Sequence, residues 1–392
     1  MHRVLVLNAG SSSLKWSLLE ATTGKVEAEG NEDWKGGKEA ARAALERLRH
    51  LPAPEAIGHR LVHGGLRFRE AVLLDDATRK ALSDLAEIDP LHTGKALELI
   101  EAAFETFPEL PQIAAFDTTF HATIPDAAAV YAVPYEWTLK WGLRRFGFHG
   151  LSLAYAVRRA GEMLGKVPER LVVCHLGSGC SVTAVHEGRS VDTTMGFTPL
   201  EGVMMGTRSG SVDPGLLLYL ERQHGQDTAE LEDALNQRSG LLGVSGVSGD
   251  LRQVLEAAGA GNDRAKLAYG IFVHTLRRAV GAMTGVLGGV DALVFTGGIG
   301  EHSARVRQDV AAALAFAGLT LDEAKNGVGI SEIPDAEISA SGAAVRALVI
   351  TAREDLSVLA EARRVEDWKA GGSTKGLAQE KDAKRGGRTG RP

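Results

Sequence analysis

LVVCHLGSGCSVTAVHEGRSVD, residues 171–192, decides the fold of this chain. An apolar run, Leu171–Cys174, reaches His175, turns through Gly177-Ser178-Gly179 and returns as a second strand over Ser181–Val185. This reads as a β-hairpin whose tip is almost bare backbone. Glycine lets N–H groups come close to an anion, so such an amide-rich turn is a natural phosphate cradle. The same pattern opens the chain, with Val4–Leu7 as a strand, Asn8–Ser13 as a Gly/Ser turn and Leu14–Leu19 as the return strand. Either hairpin alone is ordinary turn chemistry. Two strand–phosphate-turn–strand units in one chain predict a duplicated domain with a nucleotide between the halves.

A chain of 392 residues is long enough for two domains, each with its own core. Hydrophobic content of 44% and charged content of 24% are those of an ordinary globular protein. A net charge of −6 gives no reason to expect nucleic acid or an acidic membrane surface as partner. The first strand begins almost at Met1, which leaves no room for a signal peptide, and no apolar run approaches the roughly 20 residues of a membrane helix. The only cysteines, Cys174 and Cys180, flank the central turn, and free cytosolic thiols are the expected state. Their spacing, even with His175 nearby, is not that of a zinc site. The expected compartment is cytoplasmic.

Outward from the hairpins, Thr22–Lys38 is polar and Gly-containing, and Glu39–Arg49 has a helical pattern. Ala56–Val62 reads as a strand delivering His59, Arg60 and His63 to a Gly pair. Helices are expected over Asp76–Ile88 and Gly94–Phe107, with Asp89-Pro90-Leu91-His92 as a short connection. The strand Ile113–Phe116 ends in Asp117, and the carboxyl end of such a strand is where α/β folds hold ligands and metals. Arg144-Arg145-Phe146-Gly147-Phe148-His149-Gly150 precedes a helix over Leu151–Leu164 and looks like a lined pocket. Met195–Gly215, with Arg208, reads as ordered coil over a cleft. Three helices follow; Asp250-Leu251-Arg252 opens the second, and the third runs over about Ala265–Leu287. Ala292–Phe295 then leads through Thr296–Glu301 to a helix over Ser303–Ala317, and strand, glycine turn and helix start together make an anion site. Val345–Ile350 is the last strand, followed by Glu354, a short helix and, from about Gly371, a polar basic tail expected to be disordered.

The motifs exclude several classes. No Gly-Lys pair is followed by Ser or Thr, so there is no P-loop. Both Gly177-Ser178-Gly179 and Gly298-Ile299-Gly300 lack the third glycine of a dinucleotide fingerprint. There is no G-x-S-x-G and no H-E-x-x-H. Several phosphate-type turns without a P-loop point to an actin-like nucleotide cleft. The polar residues divide into two sets. Asn8, Ser11, Ser13, Lys15 and the turns Gly177–Gly179 and Gly297–Gly300 offer donors to a polyphosphate. Arg60, His92, Asp117, His149, His175 and Arg208 form a cationic group with one acid. Phosphoryl transfer needs this division, because the reacting oxygens must be aligned while charge on the moving group is met by cations. Arginine suits the task, since its planar fork grips two oxygens and stays charged.

At these residues the sequence resembles the acetate/propionate kinase family. The resemblance lies in VLVLNAGSSSLK (4–15), HRLVHGG (59–65), FDTTFHATIP (116–125), RRFGFHG (144–150), CHLGSGCSVTAV (174–185), DTTMGFTPLEGVMMGTRSGSVDPG (192–215), SGVSGDLR (245–252) and FTGGIGEHS (295–303). It implies the α/β duplicated actin-like ATPase (RNase H-like) fold. The expected division is a first lobe of residues 1–119 plus 355–370, a second lobe of 120–354, and a tail of 371–392. It also implies transfer between ATP and acetate, giving ADP and acetyl phosphate, with Mg²⁺ (or Mn²⁺) and a homodimer formed through the second lobe. By the same resemblance Arg60 and Arg208 grip acetyl and phosphoryl oxygens, His149 contacts the moving phosphoryl, Asp117 is an essential acid, and His92 and His175 support them. Asn8 and Glu354 match the metal positions. Asp250, Leu251, Arg252, Gly298, Ile299 and Gly300 match the nucleotide pocket, as do Leu176 and the turn after it. Val62, Leu91, Phe148 and Pro199 match the walls around the acetyl methyl.

The chain departs from the family pattern in a shorter region between the first hairpin and Arg60, in a tail after Trp368 with no family counterpart, and at three motif positions. Ser178 replaces a usual asparagine, Thr93-Gly94 replaces Asn-Pro after His92, and Thr351-Ala352-Arg353 replaces Pro-Thr-Asn before Glu354. Propionate or another slightly longer short-chain carboxylate is the alternative acceptor, and a non-kinase ATPase of the same fold is a third reading. A filament former would not need the arginine–histidine group, and nothing after residue 364 could build a chaperone's peptide-binding domain.

Overall fold

The structure, a computed structural model, describes residues 1–10, 13–87, 90–327 and 335–371, with side chains described outside 86–93 and 366–371. The first sheet contains β1 (Arg3–Ala9), β2 (Ser13–Glu20), β3 (Val26–Asp33), β4 (Ala56–Leu61), β5 (Val72–Leu73) and β6 (Gln112–Phe116), in the order β3-β2-β1-β4-β6-β5. The second contains β7 (Arg170–Leu176), β8 (Cys180–His186), β9 (Arg189–Thr193), β10 (Ala292–Thr296), β11 (Asp335–Glu337) and β12 (Arg346–Ile350), ordered β11-β12-β10-β7-β8-β9. Read from its other edge, the second order repeats the first strand for strand. The directions repeat as well: β1, β4 and β6 are parallel with β5 antiparallel, and β7, β10 and β12 are parallel with β11 antiparallel. Duplication is therefore a property of the topology, and Asn8 and His175 occupy corresponding positions one residue before the last pair of each hairpin.

The central strands are apolar on both faces because helices cover both. On the first sheet Leu5, Leu7, Leu14 and Leu18 pack toward the helices Lys38–Arg47 and Pro90–Thr106, while Val4, Val6 and Leu19 pack against Val358 and Leu359 of the helix Glu354–Gly371. On the second, Cys174, Leu176, Cys180 and Val182 meet the helix Asp263–Val286, and Leu171, Val173 and Val185 meet the helix Gly150–Leu164. Both cysteines are buried and free. Among the described residues no helix is long and apolar enough to cross a membrane.

Several elements differ from the expectations of the sequence. Thr22–Lys38 contains β3, whose residues VEAEGNED only alternate between half-buried and exposed, so the strand rests on its ladder with β2 rather than on apolar burial. The connection expected at Pro90-Leu91-His92 is the first turn of a helix, with Pro90 at the start where its missing N–H costs nothing. Five helices, not three, lie between Pro214 and Val286, because Gly225 and Gly246 stop two of them in left-handed conformation. Asp250 thus caps the fourth. The glycine turn after β10 is itself helical over Gly297–His302. The last helix has 18 residues and is not short. The expected disordered tail lies outside the described residues.

Candidate active site

A cleft of about 570 Å³ opens between the two sheets. Its walls carry Asn8, Gly10, Ser13, Lys15 and Arg60 from one side and His149, His175, Gly177–Gly179, Gly297 and Gly298 from the other. The crossover Ala352–Asp355 lies along it. Ladder register sets much of this arrangement. Asn8 is paired with Lys15 across the first hairpin and with Arg60 on β4, while His175 is paired with Ser181 and Thr296.

Backbone contacts bring the pieces together. Asp117 N donates to Leu61 O, and Gly150 N donates to Asp117 O at 2.9 Å. A Cβ at Gly150 would lie 2.0 Å from that same oxygen, so only glycine lets His149 sit beside Asp117. His149 itself has φ 58°, a left-handed conformation unusual outside glycine, and immediately precedes the helix Gly150–Leu164. Its ring stacks on His175 with centroids 4.1 Å apart. A Cβ built on Gly179 would lie 3.3 Å from His149 Nε2 and 3.5 Å from Arg208 Nη1, so imidazole and guanidinium converge on that bare turn.

Arg60 is the hub of the acids. It donates to Asp117 Oδ2 and to Asn8 Oδ1 at 3.4 Å, and lies 3.8 Å from Glu354 Oε2. Asn8 Nδ2 donates to the same Glu354 oxygen at 2.8 Å. Burial pushes Asp117 up to about 6 despite Arg60, and the nearby Glu354 charge adds to the rise. Burial would raise Glu354 too, but Arg60, His175, Asn8 and Lys15 together hold it below its ordinary value. Burial lowers His175 to about 4. His149 is held well below the usual imidazole range by burial first and then by His175, Arg60 and Arg208. At neutral pH both imidazoles are uncharged, and the arginines and Lys15 supply the positive field. Asn8, Glu354 and the buried Asp117 Oδ1, which has no hydrogen-bond partner among the described residues, are hard oxygen donors that fit a divalent cation.

Other sequence-derived residues are placed as follows. Phe148 is buried in the second-sheet core with Val62 packed against it, and Pro199 is half-buried in the loop before Arg208. Leu176 is buried at the end of β7. Asp250 caps its helix through Arg252 N at 2.9 Å, Leu251 is buried, and all three residues stand outside the cleft lining, behind the Ser178 turn. Gly206 bridges them, since its N–H donates to Ser178 O and it packs on Gly249. Ile299 packs on the core and Gly300 on Phe295, leaving Gly298 at the wall. Ser11 and the side chains of Leu91 and His92 lie outside the described residues.

Sequence reading missed four contributors. Buried Arg307 donates to Gly300 O and Glu301 O, fixing the glycine helix, and Glu301 Oε1 accepts from Ala352 N at 2.9 Å, fixing the crossover that delivers Glu354. Ser181 and Ser152 hold His149 and His175 at Nδ1, at 3.0 and 2.9 Å. Of these, only Ser181 left a signal, since pairing the hairpin places it opposite His175.

Two repeated actin-like sheets, phosphate-type turns facing each other, and a cationic group between them define an ATP-dependent phosphotransferase of the actin-like class. Comparison with known proteins refines this. The chain matches the Acetokinase family over residues 46–360 and belongs to it. It is 44% identical to the acetate kinase of Nostoc punctiforme, covering 91% of this chain and 97% of that one. It is similar to the crystal structure of Porphyromonas gingivalis acetate kinase, with a TM-score of 0.85 and 35% identity, covering 93% of this chain and 100% of that one. A propionate kinase from Francisella tularensis is close as well, with a TM-score of 0.84 and 37% identity over 92% of this chain and 99% of that one.

Proposed function

We propose that this chain transfers a phosphoryl group reversibly between ATP and acetate, giving ADP and acetyl phosphate, with Mg²⁺ as the metal and Mn²⁺ as its substitute. The observation that carries this reading is the convergence of His149 and Arg208 on the bare Gly179 turn, within the electrostatic reach of Arg60. A carboxylate oxygen of acetate forms the new bond to the γ-phosphorus, the bond to the β,γ-bridging oxygen breaks, and ADP leaves with that electron pair. The acceptor is already ionised, so no strong base is needed, in keeping with a site richer in cations than acids. Arg60 and Arg208 orient acetate and meet the equatorial oxygens, His149 and His175 add N–H donors, and removing one such group costs on the order of 10²–10³ in rate. Ser11, Ser13, Lys15 and Gly177–Gly179 hold the polyphosphate, with Asp250–Arg252 and Gly298–Gly300 on the nucleoside side and His92 as a supporting histidine.

Asn8 and Glu354, with Asp117 beside them, would hold the cation, which when bound offsets charge on the phosphate oxygens. Val62, Leu91, Phe148 and Pro199 would enclose the acetyl methyl. Likeness to a propionate kinase favours a second reading, in which the acceptor is one methylene longer; such a difference is worth only about 1–3 kcal/mol in a pocket. The decisive assay is hydroxamate-detected acyl phosphate formed from ATP and acetate, present in wild type and reduced at least about 10²-fold in Arg208→Ala. ATP hydrolysis without acyl phosphate would sink the reading, and kcat/KM for acetate, propionate and butyrate ranks the acceptors.

The lobes are proposed as 1–119 plus 355–370 and 120–354. Exposed Leu216, Leu218 and Tyr219 on the helix Pro214–His224, which buries no residue of its own, support a homodimer through the second lobe. Sedimentation at the monomer mass would exclude it. The free thiols support a cytoplasmic location.

A further inference from the structure

We infer that Ser181 positions His149, fixing the ring in the tautomer that presents Nε2–H to the phosphoryl group. The inference rests on the reading that His149 contacts that group. Ser181 is fully buried on β8, and its Oγ lies 3.0 Å from His149 Nδ1. The opposite ring nitrogen, Nε2, faces the Gly179 turn. A neutral imidazole has one donor and one acceptor, and the partner of one nitrogen decides which nitrogen carries the proton. A serine hydroxyl can donate or accept; assigned as the donor to Nδ1, Ser181 leaves the hydrogen on Nε2, on the cleft side.

A second, parallel pairing supports this assignment. Ser152, also fully buried, sets its Oγ 2.9 Å from His175 Nδ1, and His175 Nε2 lies 3.9 Å from a Cβ position at Gly177. Two stacked rings thus each turn Nδ1 to a buried serine and Nε2 to the glycine turn. The rings stand only 4.1 Å apart within the field of two arginines, where an uncharged donor avoids the repulsion that a third and fourth cation would meet. The serines supply what the arginines cannot, a fixed hydrogen direction without added charge.

The test joins kinetics to nitrogen NMR of histidine-labelled enzyme, with the His149 signals assigned by their loss in His149→Ala. In wild type His149 should show the Nε2–H form; an Nδ1–H form overturns the inference without any variant of Ser181. Ser181→Ala should lower kcat about 10- to 100-fold, leave KM for ATP and acetate within about twofold, and mix the two tautomers. Ser181→Thr keeps the hydroxyl and should restore most of the lost rate. In a His149→Ala background, Ser181→Ala should change kcat by less than about twofold, because its effect passes through the missing ring. Wild-type kcat in Ser181→Ala, or an equal loss in both backgrounds, overturns the inference. Unchanged kcat in His149→Ala alone would instead remove the role read for His149, while the NMR result still decides what Ser181 does.

Discussion

Single residues carry the two expectations most open to measurement. Ser178 is exposed on the cleft wall, where a hydroxyl reaches less far than the amide usual in the family. One hydrogen bond is worth about 0.5–1.5 kcal/mol, so Ser178→Asn should lower the KM for ATP roughly 2- to 10-fold and leave kcat within about twofold. An unchanged KM would show that the side chain does not touch nucleotide. Buried imidazoles set the second expectation. Burial lowers His59 and His121 to about 4, with His59 bonded to Gln112 and His121 bonded to Ser190 and the Phe148 carbonyl. Unfolded histidine binds its proton near pH 6.5, so between pH 6.5 and 4 the unfolded chain holds more protons. Stability must fall as pH drops through that window, by on the order of 3 kcal/mol for each such group. Asp117, raised to about 6, works in the opposite direction between about pH 6 and 3.8 but is one group against several. Proton uptake on unfolding at pH 5, measured from the pH dependence of denaturant midpoints, should drop by about one in His59→Gln. The motifs made Arg60, Asp117 and His149 visible in the sequence. Ser152 and Glu301 were not, because they act through contacts with segments distant in the chain, on His175 and Ala352.

At the scale of elements, the hairpin turn is where sequence and geometry agree most closely. Gly177 and Gly179 are read from the sequence as backbone for an anion, and the structure adds a steric reason at Gly179. A methyl there would crowd His149 Nε2 at 3.3 Å and lie in ordinary contact with Arg208 Nη1 at 3.5 Å. Gly179 does not have the left-handed backbone that would forbid a side chain, so Gly179→Ala should fold with a melting temperature within a few degrees of wild type. Its kcat should fall about 10²-fold as the His149 donor is displaced. Full activity would mean that His149 and Arg208 do not converge there. Apolar strands such as β1, β4, β6, β7 and β10 were legible because burial on both faces leaves continuous hydrophobic runs. Strand β3 was not, since an edge ladder needs only backbone, and its residues VEAEGNED carry no such run. Helix counts failed between Pro214 and Val286 for a related reason: the first two helices there bury no residue, so their apolar periodicity does not point to a core.

For the whole molecule, the repeated strand order makes the cleft a boundary between two sheets joined by two chain connections and by the helix Gly150–Leu164. Leu151 of that helix packs with the first sheet, and its Leu153 and Val157 pack with the second. Residues 117–150 connect the sheets once, and Thr351–Glu354 connect them again. Thr351 N and Ala352 N are tied to Asp335 and Glu301 on the second side, whereas Glu354 reaches Asn8 and Arg60 on the first. Ser357 Oγ donates to Leu151 O between the helices Glu354–Gly371 and Gly150–Leu164, a polar contact close to both connections. Such a layout allows rotation about a short axis beside the candidate catalytic residues. Water must leave before the phosphoryl group moves, or ATP is hydrolysed instead of acetate being phosphorylated. Closure driven by ligand contacts to both walls should therefore appear only when both substrates are present. Solution scattering should report a smaller radius of gyration with a non-hydrolysable ATP analogue plus acetate than with either alone, and Arg60→Ala should abolish the difference, since Arg60 is the link among Asn8, Asp117 and Glu354. Identical scattering curves in all ligand states would mean that water is excluded by fixed walls, and the acetate-independent ATPase rate would then have to be low in the open enzyme as well.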